Sequence, residues 1–122
     1  MTLEEIAREL VAGCREGREK ENLERLYAPD AVSVEAMEFA GQPRAQTGID
    51  AIRAKHDWWE GAMETLEATV DGPFLHGDDR FAVIFGMKTR NRETGEESEG
   101  REVAVYHVAD GRIVREAFFY GM

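Results

Sequence analysis

The sequence predicts an α+β domain in which N-terminal helices cover one face of an antiparallel sheet. In the first half of the chain, apolar residues recur at the spacing of a helix surface. From Leu66 onward they alternate with polar residues, as in strands that bury one face. Turns rich in Gly and Asp separate these segments, so neighbouring strands should pair as antiparallel hairpins. The length of 122 residues suits a single domain over residues 1–122.

Two helices are predicted at the start of the chain. Thr2 and Glu5 form a capping box, and Gly17 is expected to end the first helix. Residues 23–27 indicate a short second helix, which must stop before Pro29. The apolar stripe of the first helix comprises Leu3, Ile6, Ala7, Leu10, Val11 and Cys14.

An extended segment and a third helix follow. The segment begins at Asp30, and the stretch 40–46 is predicted to be a loop because it contains Gly and Pro. Thr47 and Asp50 form a second cap-like pair before a helix over 48–62. The buried stripe of this helix comprises Ile49, Ile52, His56, Trp59 and Met63, with Lys55 on its flank.

Four strands are predicted after the third helix, at 66–70, 81–87, 102–109 and 112–120. The connections between them are short, so the strands should form a meander. Helices followed by such a meander are typical of the α+β class.

Composition and charge exclude several classes of partner. The chain has 15 Lys and Arg against 25 Asp and Glu, a formal net charge of −10, which repels phosphate backbones and anionic lipid. We therefore expect neither nucleic acid nor membrane as a partner. No apolar run approaches the roughly 20 residues that cross a bilayer. Cys14 is the only cysteine, so no internal disulfide can form and a cytoplasmic location is expected.

Three stretches resemble the nuclear-transport-factor-two-like superfamily and look closest to its SnoaL-like branch. They are LYAPDAVSVE at 26–35, GIDAI at 48–52 and YHVADGRIV at 106–114. The resemblance implies a curved antiparallel sheet wrapped around N-terminal helices, forming a cone with one pocket at its open end. It also implies a homodimer through the sheet, helped by Phe119 and His107 on the outward face.

The superfamily that the chain resembles includes ketosteroid isomerases, polyketide cyclases, epoxide hydrolases and dehydratases, so the fold leaves the reaction open. The isomerase general-base aspartate directly follows a Val-Glu pair, whereas Val34 and Glu35 are followed by Ala36. The isomerase oxyanion aspartate falls at or near Ala104. The resemblance therefore argues against steroid isomerisation by that mechanism.

The resemblance also predicts which side of the last strand faces the cavity. Val114, Glu116, Phe118 and Tyr120 should share that side, because residues two apart on a strand share a face. Glu116 is the leading acid/base candidate, since carboxyls in apolar cavities can exchange protons near neutrality. Alternatively, Glu116 forms a structural ion pair with Lys55.

Three further residues are candidates for the same chemistry. Glu35 and Lys55 are expected near the cavity mouth, where Lys55 could polarise a carbonyl or simply neutralise Glu35 and Glu116. His56 could shuttle a proton, because histidine titrates near physiological pH. A hydrogen-bonded core histidine is the alternative.

Aromatic residues supply the predicted pocket wall, where flat rings suit a small hydrophobic or cyclic ligand. Packing in the core or at a dimer interface is the alternative role for these rings. The sequence has no metal-ligand spacing and no nucleotide-binding fingerprint, so neither a metal nor a cofactor is predicted. The residues assigned to the wall are Trp59, Tyr106, Phe118 and Tyr120.

Two functional hypotheses remain open at this point. The first is a cofactor-independent isomerase-, cyclase- or dehydratase-type enzyme that performs acid-base chemistry on a small carbonyl compound. In it Glu116 is the acid/base, Lys55 or His56 polarises oxygen, and Glu35 orients them. The second is a noncatalytic ligand-binding or dimerisation module, in which the charged residues only stabilise the cavity.

Overall fold

The computed structural model describes residues 1–38 and 41–121, and contains three helices and six strands within them. The helices are α1 (Leu3–Glu16), α2 (Glu19–Leu26) and α3 (Ile49–Ala62). The strands are β1 (Tyr27–Val34), β2 (Ala45–Thr47), β3 (Met63–His76), β4 (Arg80–Asn91), β5 (Glu97–Ala109) and β6 (Arg112–Phe119). The predicted α+β class with a curved sheet is confirmed.

Helix α1 follows its sequence signals closely. The Thr2 hydroxyl accepts a hydrogen bond from the Glu5 backbone N–H, and the Glu5 carboxylate accepts one from the Thr2 N–H. Gly17 caps the other end with φ of 75°, in the left-handed region that glycine adopts readily. Both predicted ends of α1 are confirmed.

The region around β2 differs from the prediction. The stretch 40–46 was expected to be a loop, yet β2 (Ala45–Thr47) pairs antiparallel with β1. Phe39 and Ala40 lie outside the described residues. The Thr47–Asp50 cap is wrong: Gly48 is the N-cap of α3, with no side-chain cap bond, because Thr47 belongs to the strand.

The sheet has the strand order β2-β1-β6-β5-β4-β3. The meander β3 to β6 is antiparallel, as predicted, but β1 and β6 pair in parallel. Nothing in the local sequence pattern indicates that pairing. It places Ser33 opposite Glu116 and makes β1 and β6 neighbours in the sheet.

A β-bulge interrupts the alternation in β6. Val108 pairs with Ile113, whereas His107 pairs with Arg115, so Val114 is an extra residue. Ile113 and Glu116 are both buried on the same side of the sheet. The bulge interrupts the two-residue period at Val114, so its place on the face of Glu116 stays a prediction.

The helices pack on one face of the sheet, here called the inner face, and the core lies between them. The ring of Phe81 stacks on that of Tyr106 there, with centroids 4.9 Å apart. The opposite, outer face carries Ile84, Val103 and Phe119, which are in register on three adjacent strands. The core comprises Ile6, Ala7, Leu10, Val11, Leu23, Leu26, Tyr27, Ala31, Ile52, Phe81, Val83, Ala104, Tyr106 and Ile113.

Candidate functional site

Glu116 lies on the inner face of β6 and is 2% exposed. Its carboxylate accepts a hydrogen bond from the Tyr27 hydroxyl on one oxygen and from the Ser33 hydroxyl on the other, at 2.9 Å. Both donors belong to β1, which the parallel pairing places beside β6. The predicted inward orientation of Glu116 is confirmed, and its partners are two hydroxyl groups rather than Lys55.

Lys55 reaches the same region from α3. Its Nζ donates a hydrogen bond to the Ser33 Oγ at 2.5 Å and forms an ion pair with the Glu35 Oε1 at 2.9 Å. The other oxygen of Glu35, Oε2, accepts a hydrogen bond from the Tyr120 hydroxyl at 3.1 Å. Four hydrogen bonds and one ion pair thus form a continuous chain, here called the inner network, whose members are Tyr27, Glu116, Ser33, Lys55, Glu35 and Tyr120.

The inner network runs from the core toward solvent. Ser33 is fully buried, whereas the side chains of Lys55 and Glu35 are 24% and 22% exposed. An ammonium group has three N–H donors, and the hydrogen bond to Ser33 and the ion pair with Glu35 engage two of them. Its Nζ also lies 5.2 Å from the centroid of the Phe118 ring, close enough for a cation–π contact.

The other predicted site residues are placed differently. His56 is half-buried, and among the described residues no hydrogen bond links it to the inner network. Trp59 is half-buried one turn beyond Lys55 on the same face of α3. Tyr106 is 3% exposed and stacked on Phe81, so it belongs to the core behind the site.

Three residues of the site were missed by sequence reasoning: Tyr27, Ser33 and Glu102. Tyr27 was assigned to the second helix, although it begins β1. Ser33 shares the phase of Glu35 on β1, and Glu102 shares the phase of Ala104 on β5. The period-two signal was thus present for two of them, but hydroxyl and carboxyl residues on a strand are usually solvent-facing.

Burial governs the electrostatics of the site. Burial, together with the nearby charges of Glu35 and Glu116 and against the opposing charge of Lys55, raises the pKa of Glu102 to about 7. Burial, followed by the charge of Glu35, raises the pKa of Tyr120 to about 12. Burial also raises the pKa of Tyr27, with the charge of Glu116 as the second cause. The two tyrosines therefore stay protonated and act as hydrogen-bond donors.

Two concave regions of the surface lie away from most of this network. The larger is a cleft of about 690 Å³ between α2, β1 and the start of α3, and Tyr27 is the one network residue that borders it. The smaller, about 260 Å³, is bordered by Glu102 and by Ile84, Val103 and Phe119 of the outer face. An enclosed pocket beside Lys55 stays a prediction.

Within residues 1–38 and 41–121, no three or more His, Cys, Asp or Glu side chains are grouped so that they could hold a metal ion. The same residues include no helix with the length and apolar character needed to span a bilayer.

The chain is thus a small α+β protein in which helices cover a curved sheet and a polar network lies on the inner face of that sheet. Residues 7–116 match the family model of the SnoaL-like domain. The chain therefore belongs to the SnoaL-like family. The comparison with curated proteins gave no match.

Solved structures agree with this assignment. A Mesorhizobium loti protein, provisionally described as a SnoaL-like polyketide cyclase, is 34% identical over 98% of this chain and 100% of its own, with a TM-score of 0.89. A Mycobacterium tuberculosis protein in complex with estradiol-17β-hemisuccinate is 21% identical, and the match covers 100% of this chain and 96% of that protein, with a TM-score of 0.76. A Catenulispora acidiphila protein in complex with trimethylamine is 14% identical, and the match covers 84% of this chain and 75% of that protein, with a TM-score of 0.68. The last two show the fold alone.

Proposed function

We propose that this chain binds a small hydrophobic or cyclic carbonyl compound and promotes its enolisation. Enolisation is the proton-transfer step that isomerisation, aldol cyclisation and elimination beside a carbonyl have in common. The observation that carries the proposal is Lys55, which is held by Ser33 and Glu35 and keeps one N–H for an oxygen of the ligand. Membership of the SnoaL-like family supports it, because relatives carry cyclase and isomerase names.

Lys55 is the proposed catalytic residue of this network. A fixed ammonium group stabilises the negative charge that develops on a carbonyl oxygen during enolisation. Glu35 and Glu116 are positioning residues, because Glu35 binds Lys55 directly and Glu116 acts on it through the Ser33 hydroxyl. Lys55 donates to the Ser33 hydroxyl, which donates to Glu116, so Glu116 fixes the orientation of the hydroxyl that holds the ammonium group. The acid-base role of Glu116 stays a prediction. His56, next to Lys55 on α3, is the alternative donor to the same oxygen.

Three half-buried aromatic rings form the proposed ligand wall. Phe118 lies beside the Lys55 ammonium, Tyr120 is bound to Glu35, and Trp59 lies one turn along α3. Tyr106 lies behind them and supports the wall from the core. Proteins of this fold have been crystallised with a steroid derivative and with a small amine, which supports a small-molecule ligand of this size range.

The test of this proposal is hydrogen-deuterium exchange of a cyclic ketone. Cyclohexanone in D₂O loses its α-proton signal in ¹H NMR spectra as it enolises. We expect the wild-type protein to accelerate that loss at neutral pH, with saturation as the ketone concentration rises. Exchange at the rate of buffer alone would contradict the enzymatic proposal.

A noncatalytic binding module is the second candidate, and one observation favours it. Both oxygens of Glu116 and both oxygens of Glu35 are occupied by partners within the chain, as expected of groups that only stabilise the fold. In that case cyclohexanone raises the melting temperature by mass action while its α-protons exchange no faster than in buffer.

We also propose that two copies associate through the outer face. Val103 and Phe119 are 39% and 56% exposed there, and Ile84 is in register with them. The three described helices pack on the inner face, so this apolar row has no cover within the described chain. Burying exposed apolar side chains of this size is favourable, which supports a dimer through the sheet.

Light scattering at micromolar concentration tests the association. We expect twice the chain mass of 13.8 kDa for the wild type, and a single chain mass for Phe119→Asp, since a charge in an apolar interface is costly. Trp58→Asp is the matched control, because Trp58 is an exposed aromatic on α3 rather than on the sheet, and its mass should equal that of the wild type. A wild type at the single chain mass would reject the dimer.

A further inference from the structure

The Glu102 carboxyl group belongs to the site, but no member of the inner network binds it. Ala104 and Tyr106 on β5 are buried on the inner face, and Val103 points outward. Glu102 stands two residues before Ala104, so it shares the inner face. Within residues 1–38 and 41–121, its carboxyl oxygens have neither a hydrogen-bond partner nor an ion-pair partner.

The surroundings of Glu102 come from several elements. Glu35 follows β1, Lys55 belongs to α3, and Glu116 lies on β6, and the charges of all three act on it. The register of β5 and β6 gives its position: Ala104 pairs with Phe118 and Val103 with Phe119, so Glu102 is in line with Tyr120. Glu102 therefore lies on the same part of the inner face as Phe118, whose ring Lys55 contacts, and no described hydrogen bond or ion pair joins it to Lys55.

Occupancy distinguishes Glu102 from the other two carboxyls. Glu116 is bound on both oxygens by Tyr27 and Ser33, and it is almost inaccessible to solvent. Glu35 is bound on both oxygens by Lys55 and Tyr120. A base that takes a proton from a ligand needs a free oxygen within reach of it. Among the three, Glu102 alone has carboxyl oxygens that no described partner occupies.

We propose that Glu102 is the general base of the reaction and removes the α-proton of a carbonyl ligand whose oxygen is bound by Lys55. The inference rests on the proposed function. The C–H electron pair becomes the C=C bond of the enolate, and the C=O π pair moves to the oxygen that Lys55 stabilises. Glu102 gains the proton and returns it, or a deuteron exchanged from solvent, to carbon. The step is balanced without any co-reactant.

The ionisation of Glu102 fits this role. Its pKa is raised to about 7, mainly by burial and then by Glu35. Because the base is the carboxylate, exchange should rise as pH increases through about 7 and level off above it. A glutamate with the usual pKa near 4.3 would instead give a flat profile from pH 5.5 upward.

The test uses the cyclohexanone exchange assay on the full chain. Glu102→Gln keeps the size of the side chain and should lower the exchange rate by about 100-fold, within the usual range for loss of a general base. Glu102→Asp keeps the carboxyl and should retain measurable exchange with the same rise through pH 7. Glu99→Gln, an exposed outward-phase position on β5, is the matched control and should exchange like the wild type.

A second measurement does not depend on turnover. In protein labelled with ¹³C at the glutamate carboxyls, the resonance absent from Glu102→Gln should titrate near pH 7 and shift when cyclohexanone is added. If Glu102→Gln exchanged the ketone as fast as the wild type, or if the Glu102 carboxyl titrated with a midpoint below pH 5, Glu102 would not be the base, while the proposed function would stand. Wild-type exchange no faster than buffer would reject the proposed function itself, and the base with it.

Discussion

Replacing Glu116 with alanine is expected to lower the free energy of unfolding by about 2–6 kcal/mol, because two buried hydroxyl groups each lose an acceptor. The variant leaves the hydroxyl groups of Tyr27 and Ser33 without their acceptor in the core. Each unsatisfied buried group costs about 1–3 kcal/mol. Urea unfolding followed by circular dichroism measures the loss.

Two controls define the origin of that loss. Glu116→Gln keeps the volume and one acceptor oxygen, and a hydroxyl can turn to accept from the amide, so we expect a loss of only about 1–2 kcal/mol. Glu67→Ala on the exposed side of β3 should change stability by less than about 0.5 kcal/mol. A loss below about 1 kcal/mol in Glu116→Ala would show that the inner network does not depend on this carboxylate.

Lys55→Met is expected to lower kcat/KM for cyclohexanone exchange by about 100-fold, comparable to the removal of one oxyanion-stabilising donor. Methionine retains most of the alkyl chain beside Phe118 but has no charge to stabilise an enolate oxygen. The rate is measured by loss of the α-proton signal. Circular dichroism checks that the variant is folded, which we expect because the Lys55 side chain is about one quarter exposed.

Lys88→Met is the matched control for Lys55→Met. Lys88 lies on β4 and its nearest acidic partner is Glu97, at 3.9 Å, away from the inner network. We expect it to exchange like the wild type. If both lysine variants lost activity equally, exchange would arise from amines in general and Lys55 would have no special role.

The family resemblance identified the architecture well, because short motifs and element order are local properties of the chain. The family match over residues 7–116 and the six-strand curved sheet confirm it. The candidate site was identified less completely. Glu35, Lys55, Glu116 and Tyr120 were named, and the structure joins them in one network. Their catalytic roles stay predictions.

The residues that were missed share one physical cause. Ser33 and Glu116 are 83 positions apart, and only the parallel pairing of β1 with β6 brings them together. The bulge at Val114 then decides which side chains of β6 face inward, and alternation alone cannot reveal an inserted residue. Glu102 could be placed on the inner face by phase, but its relation to Glu35 and Lys55 depends on the same pairing.

The amino-acid sequence by itself determined the helices, the period-two strands, the acidic charge and the family, because each depends on neighbouring residues or on composition. The tertiary structure decided which polar side chains meet. A buried carboxyl is tolerated only where donors from other segments satisfy it, and the identity of those segments depends on the packing of the whole chain. For this reason Glu116 is held by Tyr27 and Ser33 while Glu102 keeps its oxygens free.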